Sequence, residues 1–222
     1  ASGIADSGSK IPVAILPSGT VNDFAAYMSL TTNAVKFCKM IKSGKTKTVD
    51  LGKVNDKYFV NVAAGGFLTE IAHEVPGDMK TIFGSMAYYL EGLKRLAVNT
   101  LKTFKAEIIS DEFKGNEEIL MFMISNTSSI GGFKNLAPTA TVEDGLLDCL
   151  LFRKCEIQDL IGIFMEIQSG EHINNPNVIY FKTRSITLNT DEKITLDLDG
   201  EHAGTLPAMI TIEPEIFKIF IP

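Results

Sequence analysis

From Lys102 to the end of the chain, short segments of strand length follow one another with turn residues between them. They are Lys102 to Ser110, Ile119 to Ser125, Leu146 to Phe152, Val178 to Thr183, Ser185 to Leu188, Ile194 to Leu198 and Ala208 to Ile212, and only Ile157 to Ile167 among them has helical spacing. A chain can bury so many short strands only by folding a sheet onto itself or packing two sheets face to face, so a sandwich or barrel-like sheet is expected. The same character starts earlier, where Thr48 to Val54 and Tyr58 to Val62 flank the turn dipeptide Asn55-Asp56 and predict a hairpin. Between hairpin and strand series, Gly65-Gly66 opens a helical stretch, and Met79 to Leu96 predicts a long amphipathic helix.

The first 45 residues read differently. Pro12 to Leu16 is a short apolar run ending in Pro17-Ser18-Gly19-Thr20, and Val21 to Leu30 then carries Phe24, Ala25 and Met28 at helical spacing. Thr32 to Lys42 repeats the helical signal, with Thr31 or Thr32 as N-cap and Gly44 beyond the C-terminus. The fold class is therefore α+β: a β-sandwich-like C-terminal domain over 46–222, preceded by a remnant of an α/β nucleotide-binding domain over 1–45. No internal repeat and no disordered linker interrupts it.

Composition narrows the partners. A chain of 222 residues, 45% hydrophobic and 22% charged, is that of an ordinary folded protein. Its net charge of −6 argues against nucleic acid, because gripping a phosphate backbone demands a basic surface. A local basic patch could still meet an anionic membrane, so peripheral contact stays open. Cys38, Cys149 and Cys155 form no C-x-x-C pair, which fits a reducing cytoplasm, and no apolar run reaches bilayer-spanning length. Asn126-Thr127-Ser128 fits the N-glycosylation triplet, a pattern that matters only in secreted chains.

Three constellations could carry chemistry. In Leu16-Pro17-Ser18-Gly19-Thr20-Val21-Asn22-Asp23-Phe24-Ala25, a strand feeds a Gly-containing turn into a helix, which presents free backbone N–H groups where a phosphate can bind. Gly19 would permit close approach, Thr20 and Asn22 supply polar contacts, and Asp23 can hold a phosphate-bound Mg²⁺. Thr20, Asn22 and Asp23 are equally residue types that simply cap a helix.

Next, Gly131-Gly132-Phe133 precedes Thr141-Val142-Glu143-Asp144-Gly145-Leu146, where the carboxylate of Asp144 and the carbonyls of Thr141 and Leu146 could converge on a hard cation; a hairpin turn without an ion uses the same residues. Last, Asp197-Leu198-Asp199-Gly200-Glu201-His202 delivers acids to a turn, and a carboxylate near a metal-bound triphosphate could take the proton from an attacking alcohol. Acidic turns are also common on plain surfaces.

Taken together in this order and spacing, these motifs resemble the catalytic region of the diacylglycerol kinase family, specifically the bacterial soluble lipid kinases related to diacylglycerol kinase B and the YegS-type enzymes. The resemblance extends to Phe59-Val60-Asn61-Val62-Ala63-Ala64-Gly65-Gly66 and is most specific over Leu16 to Ala25. It implies a two-domain kinase that uses ATP and Mg²⁺ to phosphorylate a lipid hydroxyl, most plausibly diacylglycerol, at the inner surface of the membrane. By that resemblance Gly19, Thr20, Asn22 and Asp23 lie in the nucleotide motif. Thr141, Asp144 and Leu146 match a structural Mg²⁺ site, and Glu201 matches the proton acceptor. The family's Gly-Gly-Asp-Gly-Thr loop is absent upstream of Pro12, so a shortened chain is expected, with doubtful catalysis on its own. Phe67, Met86, Tyr89 or Phe133 could line an acyl pocket. A nicotinamide dinucleotide kinase and a non-catalytic lipid-binding module are the alternatives, and strand addition at a sheet edge leaves a homodimer open.

Overall fold

The computed structural model of the protein describes residues 1–67 and 101–222. The predicted helix from Met79 to Leu96, with Met86 and Tyr89, lies outside these residues. Few helices and one large antiparallel sheet make up the described chain. Helices α1 (Ser2–Ser7), α2 (Asp23–Tyr27) and α3 (Ala34–Ser43) come first. Strands β1 (Thr46–Val54), β2 (Lys57–Phe59) and β3 (Val62–Gly66) follow, then β4 (Phe104–Ile109), β5 (Lys114–Ser125) and β6 (Leu147–Arg153). After α4 (Ile157–Glu166) come β7 (Val178–Thr183), β8 (Ser185–Asn189), β9 (Thr195–Leu198), β10 (Glu201–Thr205) and β11 (Ala208–Phe220). Among the described residues the strands are hydrogen-bonded in the order β10-β9-β3-β5-β4-β8-β11-β1-β2, with β6 on the other edge of β5 and β7 beyond it.

Strand β5 organises the sheet because one of its edges serves two partners. Its first half pairs with β4 and its second half with β3, while β6 runs along the opposite edge. Leu120 to Ser125 is buried throughout, which explains a continuous apolar run where a one-sided strand would alternate. One face of it contributes Phe122 and Ile124 to the inner core, with Phe59, Ile108, Leu151 and Ile210. The other contributes Met121 and Met123 to a second core against Leu160, Ile163 and Phe164 of α4. A third cluster packs Phe24 and Met28 of the N-terminal segment on Val49, Leu51, Phe217 and Ile219 of β1 and β11.

Several predicted elements change. Pro12 to Leu16 is not a strand: Val13 alone bridges Ile219, donating to the Lys218 carbonyl and accepting from the Phe220 N–H. Pro12 and Pro17 lack the N–H groups that would extend the pairing. The predicted helix from Val21 shrinks to the five residues of α2. Asn33, not Thr31 or Thr32, caps α3, accepting from the Lys36 N–H; Gly44 ends that helix in the left-handed conformation, as expected. Gly65-Gly66 belongs to β3, where a Cβ on Gly65 would stand 2.6 Å from the Phe122 ring. Strand β10 was not predicted, and β11 runs eight residues past Ile212 through a bulge at Pro214 and Glu215.

Candidate active site

The described residues enclose a cleft of about 880 Å³ in which the first and last motifs meet with the Gly131-Gly132-Phe133 part of the second. The segment from Ile15 to Ala25 forms one wall and Asp197, Asp199 and Gly200 lie opposite, with Val60 to Val62 and Ile130 to Phe133 between them. Inward, the lining becomes apolar: Met121, Met123, Phe133, Leu136, Phe152 and Phe164. Thus one volume has a polar mouth built from turns and an apolar interior built from the second core.

In the first wall, Asn22 sits at φ 57° and folds its side-chain amide back on the turn, accepting from the Gly19 N–H at 2.9 Å and donating to the Gly19 carbonyl. A Cβ at Gly19 would press within 3.1 Å of Asn22 Oδ1, so glycine is what lets this turn close. Asn22 therefore braces the loop, and its side chain makes no cap bond to α2. Thr20 is exposed, lines the cleft and makes no hydrogen bond with the described residues. Asp23 Oδ1 accepts from Ser129 Oγ at 2.8 Å and from the Gly132 N–H at 3.0 Å. The adjacent glycines thus bring backbone up to this carboxylate, while its Oδ2 has no partner among the described residues.

In the facing turn, Asp199 and Gly200 are the two loop residues of the β9–β10 hairpin, with φ 53° and 93°. Positive φ at both positions is what a tight hairpin between twisted strands requires, and Asp-Gly suits it. The Asp199 carboxylate turns back to accept from the N–H groups of Val60, Asn61 and Val62 at 2.7, 2.9 and 2.9 Å. Desolvation raises its pKa, and the three N–H donors oppose that rise. Asp197 accepts from the Gly200 N–H at 2.7 Å. Glu201, next along, is exposed at the start of β10, pairs in register with Leu198 and stands just outside the cleft lining, its side chain bonded to no described residue.

The Asp144 turn does not line the cleft. Asp144 Oδ2 lies 2.7 Å from Lys182 Nζ, and its Oδ1 accepts from the Leu146 N–H at 3.1 Å. The same ammonium donates to the Thr139 carbonyl at 3.0 Å and lies 3.4 Å from Asp148 Oδ2. A cation at Thr141, Asp144 and Leu146 would share the Asp144 carboxylate with this ammonium. Among the described residues no three His, Cys, Asp or Glu side chains converge as metal ligands, so a cation here depends on single carboxylates with carbonyls, water or phosphate oxygens.

Sequence reasoning missed Asp50. This acid, 1% exposed, lies in β1 and accepts from the Gly145 and Glu215 N–H groups, each at 2.8 Å, tying the Asp144 turn to the β11 bulge. A lone acid between the apolar residues Val49 and Leu51 of a predicted strand was the available signal. His172, which belongs to no motif of the sequence, is fully buried and its Nε2 bonds the carbonyl of Leu136, a cleft-lining residue, at 2.8 Å.

Two family models match the chain. The diacylglycerol kinase catalytic domain matches residues 1–54, and the YegS C-terminal NAD kinase beta sandwich-like domain matches residues 61–221. The chain is 36% identical over 220 residues to a diacylglycerol kinase of Staphylococcus carnosus, covering 99% of this chain and 71% of that protein. The chain belongs to the diacylglycerol kinase family. A diacylglycerol kinase of Bacillus subtilis is 36% identical over 206 residues, covering 92% of this chain and 67% of that one. The crystal structure of a family member from Bacillus anthracis str. Sterne superposes with a TM-score of 0.78 at 26% identity, over 100% of this chain and 72% of that chain. This is a family of lipid kinases, and among the described residues no helix is long and apolar enough to cross a membrane.

Proposed function

We propose that the cleft transfers the γ-phosphoryl group of ATP to the hydroxyl of diacylglycerol, giving phosphatidic acid. The observation that carries this reading is the single cleft with a polar, turn-built mouth and an apolar interior, which suits an acceptor whose hydroxyl must reach phosphate chemistry while its acyl chain leaves water. Its volume is that of an ordinary ligand site. At the mouth, Leu16 and Val21 both line the cleft and are each 45% exposed, an apolar rim fitted to a lipid surface.

Residues 1–45 act on this reading with the nucleotide side and 46–222 with the acceptor side. Gly19 and Asn22 shape the loop that receives phosphates, and Thr20 offers them its free hydroxyl. Asp23, through Oδ2, would hold the Mg²⁺ that accompanies ATP, which when bound neutralises charge on the transferring group. Glu201 takes the alcohol proton as the oxygen attacks phosphorus. It suits that role because its side chain has no partner among the described residues, whereas Asp197 and Asp199 are committed to holding the turn. Thr141, Asp144 and Leu146 would form a separate structural Mg²⁺ site in competition with Lys182.

The test is transfer of labelled phosphate from ATP by the full-length gene product to detergent-dispersed diacylglycerol, a sphingoid base, a prenol and a nicotinamide dinucleotide. Labelled phosphatidic acid supports the reading. Label in the dinucleotide alone would replace it with the dinucleotide-kinase alternative, and lipid binding without turnover would replace it with the binding-module alternative.

A further inference from the structure

Asn61, 7% exposed, lies between the two sides of the cleft and bonds toward both. Its backbone N–H donates to Asp199 Oδ1 at 2.9 Å, and its side-chain Nδ2 donates to the Ser129 carbonyl at 3.1 Å. Ser129 Oγ in turn donates to Asp23 Oδ1 at 2.8 Å. The path therefore runs without a gap from the Asp199-Gly200-Glu201 turn, through Asn61 and Ser129, to the carboxylate beside the Gly19–Thr20 loop. Asn61 is fixed at its remaining atoms too: its Oδ1 accepts from Thr127 Oγ1, and its carbonyl accepts from the Asn126 N–H at 2.8 Å and Ser125 Oγ at 3.2 Å. A residue so fully bonded has one place to be.

Resting on the function read above, we propose that Asn61 is a positioning residue that fixes the separation between the turn carrying Glu201 and the loop carrying Asp23. The chemistry asks for asparagine. One short side chain must donate to a buried carbonyl and accept from a buried hydroxyl, which a carboxylate or an apolar residue of this size cannot do together. Transfer between a base at the edge of the cleft and a phosphate at the Gly19–Thr20 loop depends on that separation, and a shift of about 1 Å can cost about 10²-fold in rate.

The experiment compares the full-length gene product with Asn61→Ala, Ser129→Ala and their double variant. Ile186→Val, a core change remote from the cleft, is the control for lost stability. Two readouts are taken. The first is kcat and KM for lipid phosphorylation. The expected result is a kcat loss of about 10²-fold for Asn61→Ala, KM for ATP nearly unchanged, and a double variant no worse than the poorer single one.

The second readout is exchange of the Gly132 amide, the donor to Asp23, which should quicken in Asn61→Ala beyond the control. If Asn61→Ala folds poorly, Ser129→Ala carries the test, since it cuts only the Oγ link to Asp23. Equal exchange at Gly132 in Asn61→Ala and the control, or kcat losses that simply multiply in the double variant, would overturn the proposal. A wild-type protein that labels no lipid sinks the functional reading instead, and Gly132 exchange still decides whether Asn61 sets the separation.

Discussion

Asp199, Asp197 and Glu201 are alike in sequence and divided in structure. Asp199 is spent on three backbone N–H groups, so Asp199→Ala should lower unfolding stability by about 2–3 kcal/mol in denaturant melts. His172 gives a pH test. Burial lowers its pKa from 6.5, against its bond to Leu136, and its Nδ1 is buried without a partner for a second proton. A depressed histidine contributes stability that is present above pH 6.5 and lost as pH falls below it, because the unfolded chain takes up the proton first. Wild-type stability should therefore fall on acidification from about pH 7 to about pH 5 more steeply than that of His172→Gln, by up to about 1.4 kcal/mol per pH unit. Equal slopes would remove His172 from the explanation. For the Asp144 turn, millimolar Mg²⁺ should raise the Tm of Lys182→Ala more than that of the wild type, since the ammonium competes for the same carboxylate.

Elements with a strong period were legible and those shaped by neighbours were not. Strands β4 and β6 to β9 and helix α4 were read near their bounds because their apolar residues alternate or run continuously, whereas β5 starts at Lys114, ahead of the apolar run from Ile119 that alone was legible. Strand β10, Glu-His-Ala-Gly-Thr, has no such pattern and exists because the Asp199-Gly200 turn returns it along β9. The far half of β11 was hidden by Pro214, which the Asp50 carboxylate and a bulge accommodate. The glycines of β3 read as a helix start, yet Gly65 is there to admit the ring of Phe122. Gly65→Ala should accordingly cost about 1–3 kcal/mol through overpacking, seen as a lowered Tm. An unchanged Tm would mean that β3 shifts freely against β5.

At the scale of the whole molecule, the cleft exists because the third core holds Phe24 and Met28 against β1 and β11, fixing the Gly19–Thr20 loop over the sheet. The motifs of that loop and of the Glu201 turn were visible in the sequence. Their meeting was not, because it runs through Asn61 and Ser129, and spacing along the chain does not show which distant groups those two side chains reach. Nor did spacing show that the Asp144 turn stands apart from the cleft and already holds a lysine. The most direct measurement is phosphatidic acid formation from ATP and diacylglycerol by the full-length gene product and its Glu201→Gln variant, with nucleotide binding followed in parallel. The expected result is a rate loss of about 10²–10⁴-fold in the variant with nucleotide binding retained; a variant that transfers phosphate at the wild-type rate would contradict the assignment of the base and, with it, the mechanism built on this cleft.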